Sequence, residues 1–135
     1  MTDRELILAA HQARQKSYSP YSKFSVGAAL LTKDGKVYTG CNIENASFSP
    51  TCCAERVAFF SAISAGEKEF DRIAVSGAPT DQSPKEPCSP CGVCRQVIAE
   101  FCEKDFIIIL GTPDNYKHYT LSELLPLGFS KNNLT

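Results

Sequence analysis

The 135-residue sequence lacks an excess of charge of either sign, because 14 Lys and Arg are balanced by 15 Asp and Glu, for a net charge of −1. Proteins that bind nucleic acids draw much of their affinity from basic side chains, so we expect no polynucleotide partner. The sequence also lacks an apolar run of transmembrane length, which predicts no membrane association. Its start, Met1-Thr2-Asp3-Arg4-Glu5, lacks the features of a signal peptide, and we expect a cytoplasmic protein.

Histidine is nearly absent, and both His11 and His118 are distant in sequence from the cysteines with which they could share a metal ion. Cysteine is frequent, but the seven residues form an odd number, which does not suit a fully paired disulfide scaffold. A reduced protein with some metal-bound thiolates fits the composition better. Four cysteines are then expected to be free: Cys41, Cys52, Cys88 and Cys102.

The other three cysteines are candidate zinc ligands. Cys91 and Cys94 have the C-x-x-C spacing that lets two sulfurs reach one ion, and Cys53 supplies a third. Structural zinc sites are closed by four protein ligands, whereas catalytic sites keep one position for water. Glu55 follows Cys53 by two positions, so a helix that begins near Cys53 carries this carboxylate in its first turn. There it can move protons for that water, and the sequence predicts a catalytic zinc site.

A structural zinc site is the alternative, with Cys52 or Cys88 as its fourth ligand. Zinc knuckles usually pair two C-x-x-C units, but here the first half is the adjacent pair Cys52-Cys53, whose side chains are poorly placed for one tetrahedron. A structural site also has no use for Glu55.

The residues around the cysteines resemble the two zinc motifs of the cytidine deaminase family: Cys53-Ala54-Glu55-Arg56 and Ser89-Pro90-Cys91-Gly92-Val93-Cys94. Two upstream segments resemble its substrate-binding segments: Tyr18-Ser19-Pro20-Tyr21-Ser22-Lys23-Phe24 and Gly40-Cys41-Asn42-Ile43-Glu44-Asn45-Ala46. The C-terminal end of the family is matched by Leu124-Leu125-Pro126 and Phe129. The resemblance therefore covers nearly the whole chain, as a single domain of residues 1–135.

The resemblance implies hydrolytic deamination of free cytidine and deoxycytidine, with one zinc ion per subunit and with Glu55 as the catalytic proton carrier. It implies substrate contacts to the sugar hydroxyls, the pyrimidine face and the base edge, from Asn42, Glu44, Phe24, Ala54 and Ser89. Arg56 is implied to contact the zinc-bound sulfurs and draw charge from them. Arg95, one residue beyond the other motif, is a second candidate for that role.

Short, three-cysteine members of the family are homotetramers, so the resemblance also implies composite active sites that Phe129 enters from a neighbouring subunit. One departure is Phe48, which stands where many members have Tyr; we expect weaker nucleoside binding from the missing hydroxyl. Other functions stay open at this point. They are deamination of another aminopyrimidine such as blasticidin S, a non-catalytic zinc module, and polynucleotide editing, which the charge balance opposes.

Alternating strand and helix patterns predict a three-layer α/β/α sandwich, and the resemblance implies a mixed five-stranded sheet. Helices are expected from a Thr2 cap to about residue 17, and over residues 52–65, 92–102 and 121–125. Strands are expected over residues 24–31, 37–43, 70–76 and 106–110, with a hairpin turn at Asp34-Gly35. A loop over residues 78–90 would deliver Cys91.

Overall fold

The structure is a computed structural model that describes residues 1–134. Its strands and longer helices, in chain order, are α1 (Asp3–Ala13), β1 (Phe24–Thr32), β2 (Val37–Cys41), α2 (Ala54–Ser64), β3 (Phe70–Pro79), α3 (Gly92–Phe101), β4 (Ile107–Thr112), β5 (Asn115–Thr120) and α4 (Leu121–Leu124). A short 3-10 turn lies after α1 at Arg14–Lys16, and another lies after α4 at Lys131–Leu134.

The five strands form one sheet in the order β2-β1-β3-β4-β5. Strands β3 and β4 are parallel, and every other neighbouring pair is antiparallel. The mixed five-stranded sheet expected from the sequence is therefore confirmed. Strand β3 lies at the centre, and the apolar β4 is an interior strand between β3 and β5.

Both faces of the sheet are covered, which explains why its inner strands are apolar over most of their length. Along β1, Ala28 and Leu30 face a cluster that includes Phe59 of α2 and Ile98 of α3. The alternate residues Ala29 and Leu31 face the other side and pack with α1. Helix α1 therefore forms one outer layer and α2 and α3 the other, so the three-layer architecture is confirmed.

Gly40 of β2 allows α2 to begin directly on the sheet. A Cβ atom at this position would lie 2.4 Å from Ala54 O and 2.6 Å from Ala58 N, closer than real Cβ atoms approach backbone. The chain just before α2 is held as well, because Cys52 and Ile43 exchange backbone hydrogen bonds in both directions at 2.9 Å. These contacts fix where the first turn of α2 lies.

The expected elements differ from the structure mainly in the strands. Strand β3 runs past Ser76 to Pro79, because its antiparallel pairing with β1 continues as far as Phe24. The sequence patterns do not predict the polar strand β5. Helix α1 ends at Ala13 and is followed by a 3-10 turn. The expected Thr2 cap at its N-terminus is present, because Glu5 N–H donates to Thr2 Oγ1. Within residues 1–134, the helices are too short or too polar to cross a membrane.

Candidate active site

The three candidate ligands all stand at helix starts. Cys53 is the N-cap residue of α2, Cys91 is the N-cap residue of α3, and Cys94 lies in the first turn of α3. Unpaired backbone N–H groups and the positive end of the helix dipole favour a thiolate over a thiol at such positions. The structure thus brings two distant segments together so that both helix starts face one point.

The sulfur atoms have the spacing that a single zinc ion requires. Cys91 Sγ lies 3.7 Å from Cys53 Sγ and 3.5 Å from Cys94 Sγ, and all three lie within 4.8 Å of one another. Zinc–sulfur bonds of about 2.3 Å at tetrahedral angles place two sulfurs about 3.8 Å apart. The three thiolates therefore fit a tetrahedral zinc ion as they stand, and soft sulfur ligands favour zinc over hard cations.

Neither Cys52 nor Cys88 belongs to this group of converging ligand atoms. Among the residues that the structure describes, the only cluster of three or more potential ligands of this kind is Cys53, Cys91 and Cys94. Three protein ligands are the number found at catalytic zinc sites, which keep one position for water or substrate. The geometry does not favour a closed structural site.

The sulfur cluster shares charge with one arginine. Hydrogen bonds from Cys94 and Arg56 lower the pKa of Cys53 to about 5, against the opposing effect of burial. The hydrogen bond shared with Cys53, together with burial, raises the pKa of Cys94. Arg56 reaches Cys53 Sγ at 3.4 Å through its terminal nitrogen, as the resemblance implied.

Glu55 is a buried carboxyl beside these sulfurs. It is only 4% exposed, and burial raises its pKa to about 7, with the charge of Cys53 contributing in the same direction. Cys94 is close enough to share a hydrogen bond with its carboxylate. A carboxyl with a pKa near neutral can both accept and release a proton, which suits general acid–base chemistry.

Arg95 is directed away from the sulfurs. Its Nε donates to Pro90 O at 2.7 Å, and its terminal nitrogens donate to Ser89 Oγ at 2.6 Å and to Leu124 O. These bonds hold the turn that precedes Cys91 against the end of α4. The sequence suggested a sulfur-contacting role for Arg95, and the structure instead places it as a brace for the second motif.

Asn42 lies 8% exposed at the end of β2, with its side chain held by the chain itself. Its Oδ1 accepts from Val26 N–H at 2.9 Å and from the Ser17 hydroxyl at 2.6 Å, while its Nδ2 donates to Phe24 O at 2.8 Å. Asn42 and Phe24 are therefore neighbours, as expected for two residues of one binding site.

Glu44 is fixed to the same segment of chain. One carboxylate oxygen accepts from Tyr21 N–H at 3.0 Å and from Ser22 N–H at 3.1 Å, and the other accepts from the Ser22 hydroxyl. Both candidate sugar-binding side chains thus have set orientations before any substrate is bound.

The Phe24 ring links the part of the site that contains Asn42 to the part that contains the three sulfurs. A Cβ atom at Gly77 would meet Cys88 Sγ at 2.6 Å and the Phe24 ring at 3.1 Å, so both side chains pack over this glycine. Burial, followed by the charges of Glu55 and Cys53, raises the pKa of Cys88 to about 11. Cys88 therefore packs beside Phe24 and is influenced by the charges of Glu55 and Cys53, without joining the sulfur cluster.

A cleft of about 290 Å³ borders Phe24 and Cys88, on the side of the loop that follows β3. None of its lining residues is a candidate zinc ligand. The two remaining candidates for base contacts lie at the motif starts: Ala54 is fully buried in the first turn of α2, and Ser89 is exposed before α3.

Two aromatic side chains of interest project into solvent. Phe129 is 59% exposed, with its carbonyl held by Gln96 Nε2 at 2.7 Å, so it is not a core residue. Phe48 is 70% exposed and packs edge-on against Tyr21, with ring centroids 6.0 Å apart.

Two residues that the sequence did not single out support the site. Arg14 donates to Ser25 O at 2.8 Å. It also donates to three carbonyls at the end of β3 and in the loop after it, those of Ala78, Pro79 and Gln82. Ser17 donates to Asn42 Oδ1, as described above. Neither residue lies in a pattern, because their partners are far away in sequence, and no local signal could have identified them.

The family model for the zinc-binding region of cytidine and deoxycytidylate deaminases matches residues 1–110 of this sequence. The chain belongs to this family. A cytidine deaminase from Sporosarcina psychrophila is 48% identical over 136 residues, covering 100% of this chain and 96% of the relative. A blasticidin-S deaminase from Bacillus cereus is 35% identical over 134 residues, covering 96% of this chain and 94% of the relative.

A solved structure resembles the chain equally well. The 1.6 Å crystal structure of cytidine deaminase from Burkholderia pseudomallei has a TM-score of 0.87 and 46% sequence identity, covering 96% of this chain and 100% of that one. Both matches extend over nearly the whole chain.

Proposed function

We propose that this chain, acting as a single domain, is a zinc-dependent hydrolase that converts free cytidine and deoxycytidine to uridine and deoxyuridine with release of ammonia. The observation that carries the proposal is the triangle of three sulfurs at zinc spacing with the buried Glu55 carboxyl beside it. Relatives named cytidine deaminase at 46–48% identity over nearly the whole chain support the choice of substrate.

In this proposal Cys53, Cys91 and Cys94 hold one zinc ion. A bound zinc ion supplies a Lewis acid that lowers the pKa of water and so provides a nucleophile at neutral pH. Three thiolates leave the zinc site with a net charge of −1, which weakens this effect. Arg56 offsets part of that negative charge through its contact with Cys53 Sγ.

Glu55 carries the protons of the reaction. It accepts a proton from the attacking water and delivers a proton to N3 of the cytosine ring, which makes C4 more electrophilic. After the C4–O bond forms, Glu55 takes the proton of the new C4 hydroxyl and delivers it to the 4-amino group; the C4–N bond then breaks, ammonia leaves and the C4 carbonyl of the product forms. Its pKa of about 7 suits both directions of transfer.

The substrate is positioned by the fixed residues of the other half. Phe24 packs on the pyrimidine, Asn42 and Glu44 contact the sugar hydroxyls, and the backbone at Ala54 and Ser89 contacts the base edge. A site that pairs a buried polar group with a substrate hydroxyl rejects analogues that lack it.

A second candidate function is deamination of another aminopyrimidine, favoured by the 35% identity to a blasticidin-S deaminase. Asn42 and Glu44 argue for a nucleoside, because both side chains are held in place by hydrogen bonds to the chain. A non-catalytic zinc module is less well supported, since it would not require a buried carboxyl beside the metal.

We also propose a homotetramer with composite active sites, in which Phe129 of one subunit enters the site of a neighbour. The exposure of Phe129, a large apolar side chain, supports an interface at this position. A cytoplasmic location is proposed from the cysteines, which are all free of disulfides within residues 1–134.

The function is tested by incubating zinc-loaded protein with cytidine, deoxycytidine and blasticidin S in parallel. We expect ammonia release and ultraviolet spectra of uridine and deoxyuridine from the two nucleosides, at much higher kcat/KM than for blasticidin S. Preference for blasticidin S would contradict the nucleoside assignment. The composite site predicts that the activity per mole of protein is constant while the protein stays assembled. It also predicts that this activity is lost on dilution to monomers.

A further inference from the structure

The side-chain amide of Asn42 has its orientation decided by two backbone groups. Val26 N–H can only donate, so it selects Oδ1, and Phe24 C=O can only accept, so it selects Nδ2. An amide nitrogen carries two N–H groups. One N–H of Asn42 is therefore not used by the residues that the structure describes.

Ser17 adds a third hydrogen bond to this amide. Its Oγ lies 2.6 Å from Asn42 Oδ1, and because Oδ1 can only accept, the single hydroxyl proton of Ser17 is committed to it. Two bonds at the oxygen and one at the nitrogen fix the plane of the amide, and with it the direction of the remaining N–H.

We propose that Ser17 is a positioning residue that aims the remaining N–H of Asn42 at a sugar hydroxyl of the nucleoside. The inference rests on the proposed function, in which Asn42 contacts the sugar. Ser17 acts through Asn42 and need not touch the substrate.

The Ser17 hydroxyl is itself supported by a row of hydroxyls. Ser19 Oγ lies 3.1 Å from Ser17 Oγ and 3.3 Å from Ser25 Oγ, and Ser25 Oγ lies 2.8 Å from Thr80 Oγ1. Ser25 is 4% exposed, so the row leads from the surface into the fold. Thr80 begins the loop that leads to Cys91, and the row therefore connects Asn42 with the segment that delivers the second zinc motif.

The test compares cytidine with 2′,3′-dideoxycytidine, which has the same base but lacks the two ring hydroxyls of the sugar. In Ser17→Ala, we expect kcat/KM for cytidine to fall about threefold to tenfold, the effect of one neutral hydrogen bond. The loss should be mainly in KM. For dideoxycytidine, which offers the Asn42 N–H no hydroxyl at these positions, kcat/KM should change by less than about twofold.

Ser17→Thr is the matched control, because it keeps a hydroxyl and should keep the wild-type ratio between the two substrates. If Ser17→Ala lowers the melting temperature, Ser17→Cys retains the volume with a weak donor and gives the same comparison. Equal losses on both substrates, or no loss on cytidine, would overturn the inference. A wild-type protein that deaminates neither nucleoside would instead overturn the proposed function.

Discussion

The two halves of the candidate site hold their side chains by different means. The metal half takes its three sulfurs and one carboxyl from the first turns of α2 and α3, so two helix starts set its geometry. The sugar half has no helix start. Asn42 and Glu44 are oriented by hydrogen bonds to residues 16 to 25 positions earlier in the chain.

Because of this difference, we expect substitutions in the two halves to have different effects. In the metal half, each side chain has its own chemical task, and removing one should remove the reaction. In the sugar half, several hydrogen bonds share the work of positioning, so a single loss should reduce affinity or stability by the amount of one bond. Substitutions in the metal half should therefore cost more activity than substitutions in the sugar half.

Removal of a sulfur should have the largest effect. Cys94→Ala leaves two thiolates, and we expect zinc content well below one ion per chain and no detectable deamination. Cys88→Ala is the matched control, because Cys88 lies outside the sulfur cluster and should leave the zinc content unchanged. Metal analysis after gel filtration measures both. Full zinc retention by Cys94→Ala would contradict the three-sulfur site.

Arg56→Gln should have an intermediate effect on the chemistry. It removes the positive charge beside Cys53 Sγ, so the sulfurs keep more negative charge and zinc becomes a weaker Lewis acid. We expect kcat to fall about 10–100-fold with zinc still bound, as for other residues that support metal ligands. Arg4→Gln, an exposed arginine paired with Asp114 at 3.4 Å, provides the control. A fall in KM alone would argue against charge withdrawal.

Arg14→Met should act on stability rather than on chemistry. It removes the donors to Ser25 O, to two carbonyls at the end of β3 and to Gln82 O in the loop that follows. We expect the free energy of unfolding to fall by about 2–4 kcal/mol, because carbonyls near the interior lose charged partners. Urea denaturation of the zinc-loaded protein measures it, with Arg14→Lys as the variant that keeps the charge. An unchanged denaturation midpoint would show that this arginine does not brace the loop.

Phe48→Tyr should have the smallest effect. If the missing hydroxyl weakens nucleoside binding, as the family resemblance implies, restoring it should add one neutral hydrogen bond, so we expect KM for cytidine to fall about twofold to fivefold with kcat unchanged. Steady-state kinetics at constant zinc content measure the change. A KM that is unchanged or higher would count against the role assigned to this position.

The metal half could be predicted from the sequence because its signals are local. A C-x-x-C pair, a third cysteine and a carboxylate two residues later already specify ligand type and helix position. The placement of Arg95 could not be predicted in this way. Its partners Pro90 and Leu124 lie on opposite sides of it in the sequence, and only the folded chain shows that the guanidinium turns toward them.

The Ser17 contact to Asn42 and strand β5 could not be predicted, for a related reason. The sequence of β5, Asn-Tyr-Lys-His-Tyr-Thr, has little apolar alternation, because β5 is an edge strand that is largely exposed. The bond between Ser17 and Asn42 joins a residue of ordinary loop composition to one 25 positions away. This contact depends on the bridge between Tyr18 and Ile43, which brings the segment after α1 to the end of β2 and is not specified by the hairpin turn at Asp34-Gly35.

In the proposed function, three sulfurs hold zinc while Glu55 moves the protons. The most direct measurement follows the ultraviolet absorbance of cytidine with wild-type protein and with Glu55→Gln, each at a measured zinc content. We expect equal zinc in both proteins and a kcat at least about 10²–10⁴-fold lower in the variant, the range supplied by general acid–base catalysis. Near-normal turnover by Glu55→Gln, with zinc bound and the protein folded, would contradict the account.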